Sequence, residues 1–420
     1  MPDWHTIIRD RDFPMIEQAE CDGKAMIYLD NAATTQCSRQ VLWAMENYWQ
    51  SQHANVHRGA YCLSEKATAA LEETRLVCAE FLGAESPEEI VFTSGATAAL
   101  NLLADAWALT ELREGDLVLA TEMEHHSNLL PWLEAARRRS ASLELAPVTP
   151  EGTLDLGALD RLLDRRPKLL AVCAVSNVLG TVNPLEELVR RCHDAGTAVV
   201  ADAAQALRHE LIDVKKLDCD FLCFSAHKLM GPTGVGVLYG KKEWLERLRP
   251  PRFGGGMVRS FRFPEAEYES GPLKFEAGTL NLAGIAGLGA ALEYLQAVGR
   301  KRIAAREREL LAYTVRRLEA IEGVRILGKP EKRAGAVSFT ALPLQAYDVA
   351  LMLDKQGIAV RSGHHCAHPL HQALGIAGSV RVSPAFYNTA EEIDALAESL
   401  QRTLAAARKA GVSFGGKTDG

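Results

Sequence analysis

The decapeptide "RSGHHCAHPL", residues 361–370, sets one thiol and three imidazoles just after a guanidinium. Cys366 in that setting has three readings. As a zinc ligand it would act with His364, His365 and His368, but adjacent His364 and His365 can hardly both reach one ion, and no remote Cys/His pair offers clear partners. As a buried structural cysteine it would need no chemistry around it. As a nucleophile it would work as a thiolate, which the nearby histidines and Arg361 favour, on a mobile loop bracketed by Gly363 and Pro369.

Other segments hold groups that suit a carbonyl cofactor. In "FSAHKLMGPTGVGVLYG", Lys228 follows an apolar strand and precedes a Gly/Pro-rich turn. Its amine could form a Schiff base; by itself it reads more readily as an exposed loop lysine, and its company shifts the balance. "VVADAAQA" puts Asp202 and Gln205 at the end of the preceding strand. A carboxylate there can pair with a pyridinium nitrogen, or simply cap a helix. "TSGAT" joins a strand to a helix start, where free N–H groups and the Thr97 hydroxyl suit a phosphate, or an ordinary cap. "EHHSN" carries two adjacent histidines, which point to opposite sides of an extended segment, so at most one faces a site. Arg381 in "VRVSPAFYNT" is a natural bidentate clamp for a carboxylate, or one half of a structural ion pair.

These groups need elements to position them. "EEIVFTSG", "DLVLATEMEHHS", "PKLLAVCAVSNVLG", "TAVVADAAQA", "DFLCFSAHK" and "GVGVLYG" read as strands that are apolar on both sides. That pattern suits a mostly parallel sheet covered by helices on two faces, in which ligands bind at the carboxyl ends of the strands. Between the first two, Leu100, Leu103, Ala104 and Trp107 fall on one helical face. After about residue 285 the pattern changes to long helices, then the strands "GAVSFTA" and "GIAVRSG", then a last helix. The chain is therefore expected to be α/β, with a large domain over 27–285, a smaller α+β domain over 286–410, and a flexible tail at 411–420.

Bulk properties narrow the function. The 420 residues are 47% hydrophobic with a net charge of −7, which leaves no basic surplus for nucleic acid. Nine scattered cysteines form no Cys-x-x-Cys pair, as expected of reduced thiols in the cytoplasm. The amino-terminal residues show no signal-peptide pattern, and no apolar run is long enough to span a membrane.

Taken together, "YLDNAATT", "NVHRGAY", "EHHSNLLPW", "SNVLGT", "DAAQ", "SAHKLMGPTGVGVLYG", "FEAGTLN" and "RSGHHCAHPL" resemble a group II cysteine desulfurase, the SufS/CsdA-like, selenocysteine lyase-related branch of the class V aminotransferases. The resemblance runs from about residue 27 to 407. It implies a pyridoxal 5'-phosphate enzyme of fold type I, with a seven-stranded sheet, a small domain built from both chain ends (1–26 and 286–410), and a homodimer. It implies that L-cysteine becomes L-alanine while Cys366 keeps the sulfur as a persulfide. A SufE- or SufU-like acceptor would then take that sulfur for iron–sulfur cluster assembly.

By the same resemblance, Lys228 is the Schiff-base lysine and mover of the α-proton, Asp202 the partner of the pyridinium nitrogen, and Gln205 the partner of the ring hydroxyl. His125 stacks on the ring. Ala96, Thr97, Ser225 and His227 meet the phosphate, joined by Thr279 from the other subunit. Asn177, Arg361 and Arg381 hold the substrate, and His57 and Arg58 approach the partner's site. No metal is implied. Selenocysteine lyase or another class V aminotransferase or lyase is the alternative; an aminotransferase would have no use for Cys366. A non-catalytic sulfur-trafficking scaffold would not need Lys228, Asp202 and Cys366 together.

Overall fold

Strands buried on both faces organise the fold. The computed structural model describes residues 3–18, 20, 21 and 23–411; the tail expected at 411–420 lies outside them beyond Gly411. Seven strands form the main sheet: β1 (Ile90–Thr93), β2 (Leu117–Thr121), β3 (Ser142–Ala146), β4 (Leu169–Cys173), β5 (Ala198–Asp202), β6 (Phe221–Ser225) and β7 (Gly236–Gly240). Their spatial order is β1-β7-β6-β5-β4-β2-β3, and only β7 runs antiparallel to its neighbours. Residues of β2, β4, β5, β6 and β7 are buried throughout. Within β2, Leu117 and Leu119 enter the core on one face, and Val118 and Ala120 the core on the other, as the two-residue side-chain period requires.

Because the strands other than β7 are parallel, their carboxyl ends share one edge. The turn after β1 leads through Gly95 into helix α1 (Ala96–Thr110), whose Leu100, Leu103, Ala104 and Trp107 are all buried. β7 passes so close beneath this turn that a Cβ on Gly236 would lie 2.4 Å from Gly95 Cα, so only glycine fits there. Buried Glu276, in "FEAGT", accepts from the Phe92 N–H at 2.7 Å and from both Nη atoms of Arg75 at 2.8 and 2.9 Å. That contact fixes the segment leading to Thr279 against the first strand.

A second, antiparallel sheet has its own apolar core. Its order is β8 (Val324–Ile326), β9 (Val337–Ala341), β11 (Ser379–Val382), β10 (Arg361–Gly363). Helices α2 (Arg300–Glu319), α3 (Ala346–Asp354) and α4 (Ala390–Lys409) cover it with Leu311, Leu318, Val349, Leu353, Leu396 and Leu400. The β10–β11 register sets Arg361 directly opposite Arg381. The chain's start joins this end of the molecule: Phe13 packs on Tyr387 at 4.6 Å between ring centroids, and Ile27–Tyr28 pairs in parallel with Ile358–Ala359. Among the described residues, no single helix is long and apolar enough to cross a membrane.

Candidate active site

The carboxyl edge of the main sheet meets the loop after β10 around a cavity of about 250 Å³. Ala96, Thr97, His125, Asn177, Asp202, Gln205, Ser225, His227, Lys228, Arg361, Cys366 and Arg381 all line it. Thr279 does not; it borders a separate cavity with Gly234 and Asn281. His57 and Arg58 are outside it too, with Arg58 donating to Val258 O at 3.1 Å. A larger groove of about 990 Å³, lined by Trp43, Val77 and Tyr294, holds none of these groups.

Each end of the cavity has its own electrostatics. At one end, the first turn of α1 offers N–H groups. The Ala96 N–H donates to Ser225 Oγ at 2.7 Å, and the Thr97 and Ser127 hydroxyls lie 2.7 Å apart. His227 is 3.2 Å from Thr34 Oγ1, and burial, helped by Lys228, pulls its imidazole down to about 4. At the other end stands Asp202, whose Oδ1 accepts from the Ala204 N–H at 2.9 Å. Burial pushes its carboxyl up, against that hydrogen bond and the Lys228 charge. Asp202 thus caps a turn and borders the cavity at once. Lys228 lines the same cavity; burial pulls its amine down to about 8, with Asp202 opposing. Gln205 donates to Ala32 O at 2.7 Å.

The two adjacent histidines part company. His125 borders the cavity; its Nδ1 accepts from the Ser127 N–H at 3.1 Å. A backbone N–H only donates, so Nδ1 is unprotonated and the neutral ring carries its proton on Nε2. Burial, then Lys228, holds this imidazole down at about 4. His126 turns away, with its Nε2 3.0 Å from His368 Nδ1.

The cysteine loop is tied down. Sequence reasoning expects a mobile segment, yet two successive carbonyls are anchored to loops of the main sheet. Asn177 Nδ2 donates to His365 O at 2.8 Å, and the His126 N–H to Cys366 O at 2.7 Å. His365 and Cys366 both hold left-handed backbones, φ 52° and 57°, a conformation that costs free energy in a non-glycine residue. Beneath them runs a chain of hydrogen bonds whose direction can be assigned. Ala367 O, an acceptor, lies 3.0 Å from His371 Nδ1, which must therefore be protonated. His371 Nε2 then accepts from the Ser379 hydroxyl at 3.1 Å, and that oxygen accepts from His365 Nε2–H at 3.0 Å. Cys366 itself is exposed at the cavity mouth. Among the described residues, no three His, Cys, Asp or Glu side chains are grouped to hold a metal ion.

Two residues matter here that sequence reasoning did not single out. Asp30 bridges the opposed arginines, with Oδ1 2.9 Å from Arg381 Nη2 and Oδ2 3.3 Å from Arg361 Nη1. Arg381 also donates to Asn177 O at 3.0 Å, while its buried Nε has no partner. Glu124 is wholly buried beneath the His125 turn. It accepts from the Thr121 hydroxyl and the Asn128 amide, each at 2.6 Å, and from the Cys173 N–H at 3.0 Å.

Residues 27–396 match the aminotransferase class-V family. A probable cysteine desulfurase of Halalkalibacterium halodurans is 43% identical over 93% of this chain and 96% of its own length. A cysteine desulfurase of Escherichia coli is 44% identical, with the same coverage. The chain belongs to the cysteine desulfurases of the class V aminotransferase family. Among solved structures of such desulfurases, an apo form from Thermococcus onnurineus superposes with a TM-score of 0.90 at 39% identity, covering 97% of this chain and 99% of that one. The Escherichia coli cysteine desulfurase CsdA gives 0.88 at 35%, covering 97% and 100%.

Desulfurases of this family depend on pyridoxal phosphate, and the donor set fits that molecule. Its phosphate would meet the start of α1 with Thr97, Ser225 and His227, its ring nitrogen Asp202, and its aldehyde carbon Lys228. His125 would flank the ring. The burial that lowers the Lys228 amine also makes it a better nucleophile near neutral pH.

Proposed function

We propose that the protein converts L-cysteine to L-alanine and retains the sulfur as a persulfide on Cys366. One observation carries this reading: Cys366, brought by the second sheet, opens onto the same cavity as Lys228, Asp202 and His125 of the first. Bound pyridoxal phosphate supplies an electron sink for the substrate α-carbon. The protein's own groups do the rest. Arg381, with an unpartnered Nε, receives the α-carboxylate beside Asn177. Lys228 would hold the cofactor, and its amine is placed to move the α-proton. Asp202 keeps the ring nitrogen protonated. The Cys366 thiolate attacks the substrate sulfur; an S–S bond forms, and the C–S bond breaks with its electron pair going to the substrate β-carbon; protonation of that carbon and return of a proton to the α-carbon by Lys228 give L-alanine.

Supporting features extend the proposal. Thr279, His57 and Arg58 stand apart from their own chain's cavity, which suits service to a partner's site in a homodimer. The eight cysteines whose side chains are described are all free thiols, in keeping with work in the cytoplasm. Exposed Cys366 would hand its sulfur to a SufE- or SufU-like acceptor for iron–sulfur assembly.

The test is release of alanine and sulfide from L-cysteine with a reductant present, for the parent and for Cys366→Ala. Both products from the parent and loss of most activity in the variant are expected. A yellow parent that makes neither product would keep the cofactor and overturn the substrate.

A further inference from the structure

Ser127 joins two parts of the cavity that come from different elements. It lies in the loop after β2, two residues beyond His125, and borders the cavity beside Thr97 of α1. Its hydroxyl is 2.7 Å from Thr97 Oγ1 and 3.1 Å from His125 Nδ1. The direction of these contacts can be assigned. A neutral imidazole has one accepting nitrogen, and here that nitrogen already takes the Ser127 N–H at 3.1 Å. The Thr97 oxygen is also the nearer acceptor. Ser127 therefore gives its proton to Thr97 Oγ1, which leaves the Thr97 proton for the cavity. An anion at the start of α1 favours the same direction, because a hydroxyl donates more strongly to a charged acceptor than to another hydroxyl. The turn that carries Ser127 is itself fixed: the Asn128 amide donates to buried Glu124 at 2.6 Å, and the His126 N–H to Cys366 O at 2.7 Å.

We propose that Ser127 is a positioning residue for the cofactor phosphate, acting through Thr97. Its proton occupies the Thr97 oxygen and so turns the Thr97 proton toward the phosphate. Ser127 need not touch the phosphate to do this. Without its hydroxyl, Thr97 Oγ1 loses a donor, and the Thr97 proton is free to rotate away. The inference rests on the reading that the phosphate meets the start of α1 with Thr97. In Ser127→Ala the backbone N–H at position 127 remains, so the His125 tautomer is kept and the hydroxyl alone is tested.

The experiment strips the cofactor from the full-length holoenzyme and measures its recapture. Apoenzyme is titrated with pyridoxal phosphate and, separately, with pyridoxal, which lacks the phosphate. Absorbance reports both dissociation constants without turnover. The parent should hold pyridoxal phosphate the more tightly. Ser127→Ala should weaken pyridoxal phosphate about three- to tenfold, the worth of one neutral hydrogen bond, and leave pyridoxal within about twofold of the parent. A merely structural Ser127 would weaken both ligands alike; that result, or no change in either, overturns the proposal. A second arm uses Thr97→Ala as the background. There Ser127→Ala should add no further loss, since the hydroxyl it orients is gone. A full additional loss would show Ser127 acting independently of Thr97 and refute the proposal, as would equal affinity of the parent for the two ligands. A holoenzyme that makes no alanine from L-cysteine yet shows these shifts would sink the proposed reaction and leave the role of Ser127 standing.

Discussion

Glu124 offers a sharp test of the hydrogen-bond directions beneath the His125 turn. The Trp132 indole N–H can only donate, and it lies 3.2 Å from Asn128 Oδ1. Asn128 must therefore aim its amide nitrogen at Glu124. The Thr121 hydroxyl accepts from the Met123 N–H at 3.1 Å, so its proton points to Glu124 as well. With the Cys173 N–H, three donors converge on a carboxylate that burial pushes up to about 7. Above that pH the group is ionised. Glu124→Gln then sets an amide donor against the Asn128 donor. One hydrogen bond is lost and a buried donor is stranded, at a cost of about 1–3 kcal/mol. Asn128→Asp alone would set two carboxylates 2.6 Å apart in a buried site, at no smaller cost. Combining Glu124→Gln with Asn128→Asp restores complementarity, since the carboxylate introduced at position 128 can accept both from the amide introduced at position 124 and from Trp132.

Urea unfolding of the apoenzyme at pH 8 should accordingly show each single variant destabilised and the double variant rescued, with a coupling of about 1–3 kcal/mol. Amide exchange at Cys173 gives a local check. Losses that simply add would refute the assignment. The pH dependence has a definite sign. The folded carboxyl keeps its proton to higher pH than the unfolded one, whose ordinary value is 4.5. Stability from this group therefore falls as pH rises from about 4.5 to about 7, by about 3 kcal/mol in all. Glu124→Gln should lack that slope.

Other outcomes follow from the same geometry. Lys228→Ala should lose the yellow absorbance of covalently held cofactor; an unchanged spectrum would refute the attachment. Because burial lowers the Lys228 amine to about 8, and only the neutral amine attacks a carbonyl, the rate at which apoenzyme captures pyridoxal phosphate should climb with pH and level off above about 8. A rise that continues toward 10.5, the ordinary lysine value, would contradict it. Ser379→Ala strands a buried imidazole nitrogen and should cost about 1–3 kcal/mol in denaturant unfolding, with slower sulfide release and an unchanged cofactor spectrum. Arg381→Ala should raise KM for L-cysteine about tenfold or more, the loss of roughly one charge-assisted hydrogen bond; an unchanged KM would move the carboxylate contact elsewhere.

The central strands were legible in the sequence because burial on both faces writes itself as continuous apolar runs, and the turns after β1, β2, β5 and β6 carry polar residues where such runs stop. β3 was not read. It is an edge strand, only partly buried, and "SLELA" has no apolar run to mark it. The hairpin of Val258–Arg262 with Glu265–Tyr268 escaped for a similar reason, being mostly exposed. β11 is four residues long, and its identity as a strand comes from neighbours far away in sequence. Asp30 was visible only as one letter of "YLDNAATT", since its role depends on arginines 331 and 351 positions along the chain. Glu124 sat unremarked beside two histidines, because no sequence pattern reports that a carboxyl is enclosed. The tethering of the cysteine loop was likewise hidden; glycine and proline mark a turn, not whether its carbonyls find donors.

That tethering bears on the handover of sulfur. A backbone held at His365 and Cys366 leaves the sulfur little reach beyond the swing of one side chain. The cargo stays where it is made, and the recipient must do the travelling. Selection for efficient delivery then falls less on the donor's suppleness than on the shape of whatever probes its doorway.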